Sequence, residues 1–143
     1  MIFVKDIMTH RVKTVAGSAT IHEAAVTMTK SKIGSVVVVD GLKPIGILTE
    51  GDVSRAVAKG IDVRKTSAKN VMGKPLITTT ADVRLEEAAR LMASSGVKKL
   101  PVVEQGKIVG IVTQTDIVGS SFDLVTALKE MVRARYRPPD FQP

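Results

Sequence analysis

An internal repeat constrains the fold of this chain more than any other feature of its sequence. When the chain is shifted by 64 positions, residues 5–53 align with residues 69–117 without a gap. The identical pairs include Met8/Met72, Glu23/Glu87, Gly46/Gly110, Thr49/Thr113 and Asp52/Asp116. A unit this short cannot bury its apolar surface alone, so we expect the two copies to share a core.

Each copy shows the same order of local patterns. Ser18 and Asp82 are candidate N-caps, because apolar residues at helical spacing follow each of them. Two strand-like runs come next, and a second helix is expected to start near Thr49 and Thr113. A short strand is expected before the first helix. The predicted strands are 12–15, 35–39 and 45–48 in the first copy, and 76–79, 100–103 and 108–112 in the second.

These patterns predict an α/β (α+β) fold, in which two β-α-β-β-α repeats pack about a pseudo-twofold axis. Residues 1–60 are assigned to the first repeat, 61–67 to a linker, 68–120 to the second repeat, and 121–143 to a C-terminal helix and tail. An apolar stripe in the last segment predicts that its helix runs to about Arg135, before Pro138 and Pro139.

Composition argues against several classes of function. The chain has no cysteine, which excludes disulfides, thiolate nucleophiles and the commonest zinc ligands. His10 and His22 have no partners at metal or catalytic-triad spacing, so neither an enzyme nor a metal site is expected. The N-terminal residues contain no signal-peptide core, and the longest aliphatic run, 36–39, is far too short to span a bilayer. We therefore expect no membrane partner, and we expect a cytoplasmic location.

The net charge of +7 raises the question of nucleic-acid binding. The surplus is spread along the chain, with +2 in residues 1–63, +4 in 64–121 and +1 in 122–143. The chain has one tyrosine, three phenylalanines and no tryptophan for stacking on bases. A nucleic-acid partner is therefore not expected, although it stays open as a third reading.

The segment Gly-Ile-x-Thr-x-x-Asp occurs in both copies, at 46–52 and 110–116. A Thr followed three residues later by an acid, after a strand, is typical of a capping box at a helix start. Alternatively, two stacked copies would bring both junctions to a shared cleft. Asp52 and Asp116 would then accept hydrogen bonds from ribose hydroxyls, while free N–H groups at the helix N-termini would favour a phosphate. Both readings remain open.

The sequence resembles the CBS domain pair family from about residue 4 to residue 118. The motifs that carry the resemblance are Asp-Ile-Met-Thr at 6–9, Ile-Gly-Ser-Val-Val-Val-Val-Asp at 33–40, Gly-Val-Lys-Lys-Leu-Pro-Val-Val at 96–103, and the two Gly-Ile-x-Thr-x-x-Asp junctions. The resemblance implies a non-catalytic regulatory module with no required cofactor. Such modules bind AMP, ADP, ATP or S-adenosyl derivatives and often form homodimers.

The resemblance also implies two ligand sites, each built from both repeats. The first would use Thr49, Asp52, Pro75, Ile77, Thr78, Lys98, Lys99 and Leu100. The second would use Thr113, Asp116, Arg11, Lys13, Thr14, Gly34, Ser35 and Val36. Lys98 and Lys99 predict that the first site prefers phosphorylated ligands, since the second has the small neutral Gly34 and Ser35 there. The alternative for the two lysines is a solvated pair on an edge strand.

An alternative hypothesis, from a different class of function, is an interaction scaffold whose clefts bind no ligand. Its dimer surface or C-terminal helix would instead dock a regulated partner protein. Gly51 speaks slightly for the scaffold, because many members of the family that this chain resembles have a basic residue at that position.

Overall fold

The computed structural model describes residues 1–120, and the helix predicted beyond residue 120 lies outside this range. The described chain is an α/β fold of two repeats, as predicted from the sequence. Its helices are α1 (Val4–Ile7), α2 (Ile21–Ser31), α3 (Glu50–Ala58), α4 (Leu85–Ser95) and α5 (Gln114–Gly119), with a 3-10 turn at Ala68–Asn70. Its strands are β1 (Thr14–Ala16), β2 (Ser35–Asp40), β3 (Lys43–Thr49), β4 (Lys99–Glu104) and β5 (Lys107–Thr113).

The first repeat contains a three-stranded sheet in the order β1-β2-β3. Strand β1 runs parallel to β2, with Thr14 opposite Val37. Strand β2 runs antiparallel to β3, with Ser35 opposite Thr49. Because β2 is the central strand and is buried over Ser35–Val39, its side chains are apolar without alternation after Ser35.

The second repeat has only the antiparallel pair β4-β5. The strand predicted at 76–79 is reduced to one parallel bridge between Thr79 and Val102. Proline explains the difference. In the first repeat Val37 N donates to Lys13 O at 3.2 Å. The equivalent residue in the second repeat is Pro101, which has no N–H, so the ladder cannot extend.

Both predicted N-caps were wrong by two residues. Helix α2 is capped by Thr20, whose side chain accepts from Glu23 N while the Glu23 carboxylate accepts from Thr20 N. Helix α4 follows Arg84, which makes no side-chain cap. Its first N–H, that of Leu85, instead donates to Ile2 O at 3.0 Å.

The segments that precede each repeat are exchanged between the repeats. Residues 1–9, the N-terminal arm, pack on the second repeat, where Val4 N donates to Val83 O at 2.9 Å. Val4 is fully buried in the same core cluster as Leu100. Residues 67–73, the linker arm, pack on the first repeat, where Ala68 N donates to Ala19 O at 2.7 Å and Ala68 joins the core. Each core is therefore completed by the other repeat's arm.

The two cores are formed mainly by aliphatic side chains from equivalent positions. In the first repeat the buried residues are Ala24, Met28, Val36, Val38, Leu48 and Ala68. In the second they are Val4, Ala81, Ala88, Met92, Leu100, Val102 and Val112. Over residues 1–120, none of the helices has the length and apolar character needed to cross a membrane.

Candidate functional site

The two Thr-x-x-Asp segments form capping boxes at the starts of α3 and α5. Thr49 Oγ1 accepts from Asp52 N at 3.2 Å, and Asp52 Oδ2 accepts from Thr49 N at 2.8 Å. Thr113 and Asp116 make the same two bonds at 3.1 and 2.9 Å. The capping interpretation is therefore confirmed at both junctions. It leaves the second carboxylate oxygen of each Asp outside the cap.

Protein acceptors already occupy much of the first turn of α3. Glu50 N donates to Gly34 O at 3.0 Å, and Asp52 N is held by the Thr49 hydroxyl. Free N–H groups were expected at this helix start. Among the first-turn residues Glu50, Gly51 and Asp52, only Gly51 is left to supply one. An anion near α3 would depend chiefly on side-chain cations.

A cleft of about 970 Å³ lies between the repeats at the start of α3. Six of the eight residues predicted for the first site line it: Thr49, Asp52, Pro75, Ile77, Lys98 and Lys99. The structure does not bring Thr78 and Leu100 to the cleft. Leu100 is fully buried in the core of the second repeat, because alternate residues of β4 face opposite sides of the strand. Thr78 is exposed outside the lining.

Lys99 is tied to the opposite repeat. Its Nζ donates to Ser35 Oγ at 2.6 Å, and Ser35 is only 7% exposed. The two residues occupy equivalent positions in the two copies, so their contact lies next to the pseudo-twofold axis. Sequence reasoning placed Lys99 in the first site and Ser35 in the second, but the structure joins them. The side chain of Lys98 is left as the more exposed cation of the pair.

Arg55 is one of the lining residues that sequence reasoning missed. It lines the cleft, and its Nη2 donates to Asp52 Oδ1 at 2.7 Å. The guanidinium lies close to Gly51, since a Cβ there would be 3.2 Å from Arg55 Nη1. The Asp-x-x-Arg spacing on a helix was the available signal. Other lining residues outside the predicted set are Ile47, Glu50, Gly51, Gly73, Lys74, Leu76, Gly96 and Val97.

The residues predicted for the second site are distributed differently. Thr113 and Asp116 are half-buried at the start of α5. Arg11, Lys13 and Thr14 are exposed at and before the start of β1. Gly34 lines the first cleft, Ser35 bonds to Lys99, and Val36 is buried in the core of the first repeat. The second site as a whole stays a prediction.

The first cleft is lined by more cations than anions. Arg55, Lys74, Lys98 and Lys99 stand against Glu50 and Asp52. The residues equivalent to the four cations in the other copy are Gly119, His10, Gly34 and Ser35. In residues 1–120 no group of three or more His, Asp or Glu residues is arranged to hold a metal ion. The arrangement is suited to recognising a small anionic molecule.

Two β-α-β-β-α-like repeats with a cleft between them, at the start of α3, define a tandem-repeat module. The family model described as "CBS domain" matches residues 4–59 and 68–123, so this chain belongs to the CBS domain family and contains a pair of such domains. CBS domain pairs are generally regulatory modules.

The chain is similar to curated proteins from an archaeon and a bacterium. It is 39% identical over 114 residues to the protein MK0525 of Methanopyrus kandleri, covering 78% of this chain and 58% of that protein. It is 38% identical over 115 residues to the CBS domain-containing protein YhcV of Bacillus subtilis, covering 80% of this chain and 81% of that one. The chain thus spans little more than half of the Methanopyrus relative.

A solved structure with the same fold is the CBS domain pair of protein MJ0100, in complex with 5′-methylthioadenosine and S-adenosyl-L-methionine. It is 30% identical to this chain, with a TM-score of 0.76, and the likeness covers 84% of this chain and 95% of that one.

Proposed function

We propose that this chain is a non-catalytic regulatory module that binds an adenine nucleotide or an S-adenosyl derivative in the cleft between its repeats. The observation that carries the proposal is the cleft of about 970 Å³, which has the Asp52 carboxylate and several cations on its walls. Its volume lies near the upper end of the range usual for small-molecule pockets.

The lining offers a partner for each part of such a ligand. Ile47, Ile77 and Val97 provide apolar surface for a purine ring. Asp52 Oδ1 is an acceptor suited to a ribose hydroxyl. The ammonium groups of Lys74 and Lys98 are suited to a phosphate. The MJ0100 domain pair, with its two adenosyl ligands, supports this assignment.

Regulation would follow from the position of the cleft. The residues that line it come from both repeats, so a ligand bound there contacts both halves of the module. A ligand shifts a conformational equilibrium only as far as it binds one state more tightly than the other. We propose that ligand binding favours one arrangement of the two repeats, or of two subunits, and that a partner protein responds to it.

Titration calorimetry with AMP, ATP, S-adenosylmethionine and 5′-methylthioadenosine tests the proposal. At least one ligand should bind with a Kd below about 1 mM. At a concentration of 100 times its Kd it should stabilise the fold by about 2.7 kcal/mol, visible as a raised Tm. If none of the four binds at millimolar concentration, the proposal is refuted and the scaffold reading is favoured.

We also propose that the chain forms a homodimer through helix surfaces. Val57 on α3 is 62% exposed and Val26 on α2 is 36% exposed, and the two helices pack against each other. Burial of these side chains against a second copy would remove them from water. Light scattering coupled to size-exclusion chromatography should give twice the mass of 15.3 kDa. A monomer at all concentrations would contradict this expectation.

A further inference from the structure

Both carboxylate oxygens of Asp52 are already bonded within the protein. Asp52 Oδ2 accepts from Thr49 N in the capping box, and Asp52 Oδ1 accepts from Arg55 Nη2 at 2.7 Å. The Asp52 side chain is 15% exposed and the Arg55 side chain 65% exposed. The acceptor best placed for a ribose hydroxyl is therefore covered by the protein's own guanidinium.

This arrangement is confined to the first junction. Within the described residues, Arg55–Asp52 is the only ion pair closer than 4 Å, and residue 119, which is equivalent to Arg55, is glycine. Asp116 thus has the same cap as Asp52 but lacks this cation. A Cβ at Gly51 would lie 3.2 Å from Arg55 Nη1, so a larger residue there would require the guanidinium to shift slightly.

A ribose hydroxyl that donates a hydrogen bond to Asp52 Oδ1 must compete with Arg55 for that oxygen. An exposed ion pair contributes little to stability, so the guanidinium can be displaced at low cost. What it contacts next depends on the ligand. A nucleoside without charge offers it no new anion, whereas a 5′-phosphate offers the bidentate acceptor geometry that arginine matches.

We propose that Arg55 is a specificity-determining residue of the first cleft, selecting adenosine ligands that carry a phosphate over uncharged nucleosides. In the free protein Arg55 neutralises Asp52, and in the complex it exchanges that carboxylate for the ligand phosphate. This inference rests on the proposed function, because it assumes that the first cleft binds adenosine ligands.

The test compares AMP with adenosine on the wild type, Arg55→Met and Arg55→Lys by titration calorimetry. In Arg55→Met the ratio of the adenosine Kd to the AMP Kd should fall by about tenfold, as expected for loss of a charge-assisted contact to phosphate. AMP should bind more weakly, while adenosine should bind as well as before or a few-fold more tightly, because Asp52 Oδ1 is uncovered. Arg55→Lys should restore part of the ratio.

Lys43→Met is the matched control, since it removes an exposed positive charge at the first residue of β3, roughly 20 Å along that strand from Thr49. It should leave the ratio within about twofold of the wild type, since exposed charges this far apart are largely screened. Equal weakening of both ligands in Arg55→Met, or no change in either, would overturn the inference while the proposed function stood. If the wild type bound neither ligand, the proposed function would fail first, and this inference with it.

Discussion

An Asp52→Asn variant is expected to bind AMP at least about tenfold more weakly than the wild type while remaining folded. Asparagine keeps one side-chain oxygen, which can accept from Thr49 N and preserve the cap. In place of Oδ1 it presents an NH2 group, which cannot accept from a ribose hydroxyl. The fold loss should be similar for adenosine, because the contact of Arg55 with the AMP phosphate is made in both the wild type and the variant and cancels in the comparison. Calorimetry and thermal unfolding measure the two effects separately.

Two further variants separate capping from ligand binding. Asp52→Ala removes the capping oxygen as well, so it should also lower the free energy of unfolding, by about 1 kcal/mol. Asp116→Asn makes the same change at the other junction and should leave affinity at the first cleft unaltered. Normal AMP affinity in Asp52→Asn, together with destabilisation in Asp52→Ala, would mean that Asp52 serves only as a cap.

Gly110→Ala is expected to lower the free energy of unfolding by about 2 kcal/mol, because it overpacks the contact between the second repeat and the N-terminal arm. A Cβ at Gly110 would lie 2.7 Å from Met8 Sδ and 3.1 Å from Thr9 O. Thr9 is not free to retreat, since its N and O are both bonded to Ile111, at 2.9 and 3.0 Å. Urea unfolding followed by circular dichroism measures the change.

Gly119→Ala is the control for this substitution, because a Cβ there would meet no atom of residues 1–120 within 4 Å. It should change the free energy of unfolding by less than about 0.5 kcal/mol. The double variant Met8→Ala/Gly110→Ala should lose less than the sum of the two single losses, since removal of the Met8 side chain relieves the clash. Strict additivity would show that the arm does not lie against Gly110 in solution.

The repeat unit and most strands could be predicted because they depend on local pattern. The gapless alignment fixed equivalent elements in both copies, and β2 to β5 lie within one or two residues of their expected bounds. The strand expected at 76–79 is reduced to a single bridge, and the reason is seen only when the strand pairing is known. Pro101 removes a donor that matters only when its partner strand is known.

The helix starts show where local reasoning ends. The segment from Thr20 to Glu23 has the Thr-x-x-Glu pattern of a capping box, so the sequence does contain the signal for this N-cap, and the prediction of Ser18 was wrong. The start of α4 has no such signal, since Arg84 makes no side-chain cap and Leu85 N donates to Ile2 O. That donor and acceptor are more than eighty residues apart, so only the exchanged arm reveals the bond.

The candidate site likewise contains residues that could be predicted from the sequence and residues that could not. The resemblance supplied six of the residues that line the first cleft, because motif positions carry over with the fold. It could not supply Arg55, whose place in the cleft follows from its side-chain contact with Asp52 and not from a motif position. Nor could it show that Lys99 reaches across to Ser35, since that contact joins residues from different repeats.

The bond between Lys99 and Ser35 is one that two identical copies could not make. A pair of identical subunits related by a true twofold would place serine against serine or lysine against lysine at this point, and two ammonium groups would repel each other. Once both copies are part of one chain, each can mutate alone. The two equivalent positions beside the axis can then hold a donor, Lys99, and an acceptor, Ser35. Only one way of pairing the two halves brings this donor and this acceptor together.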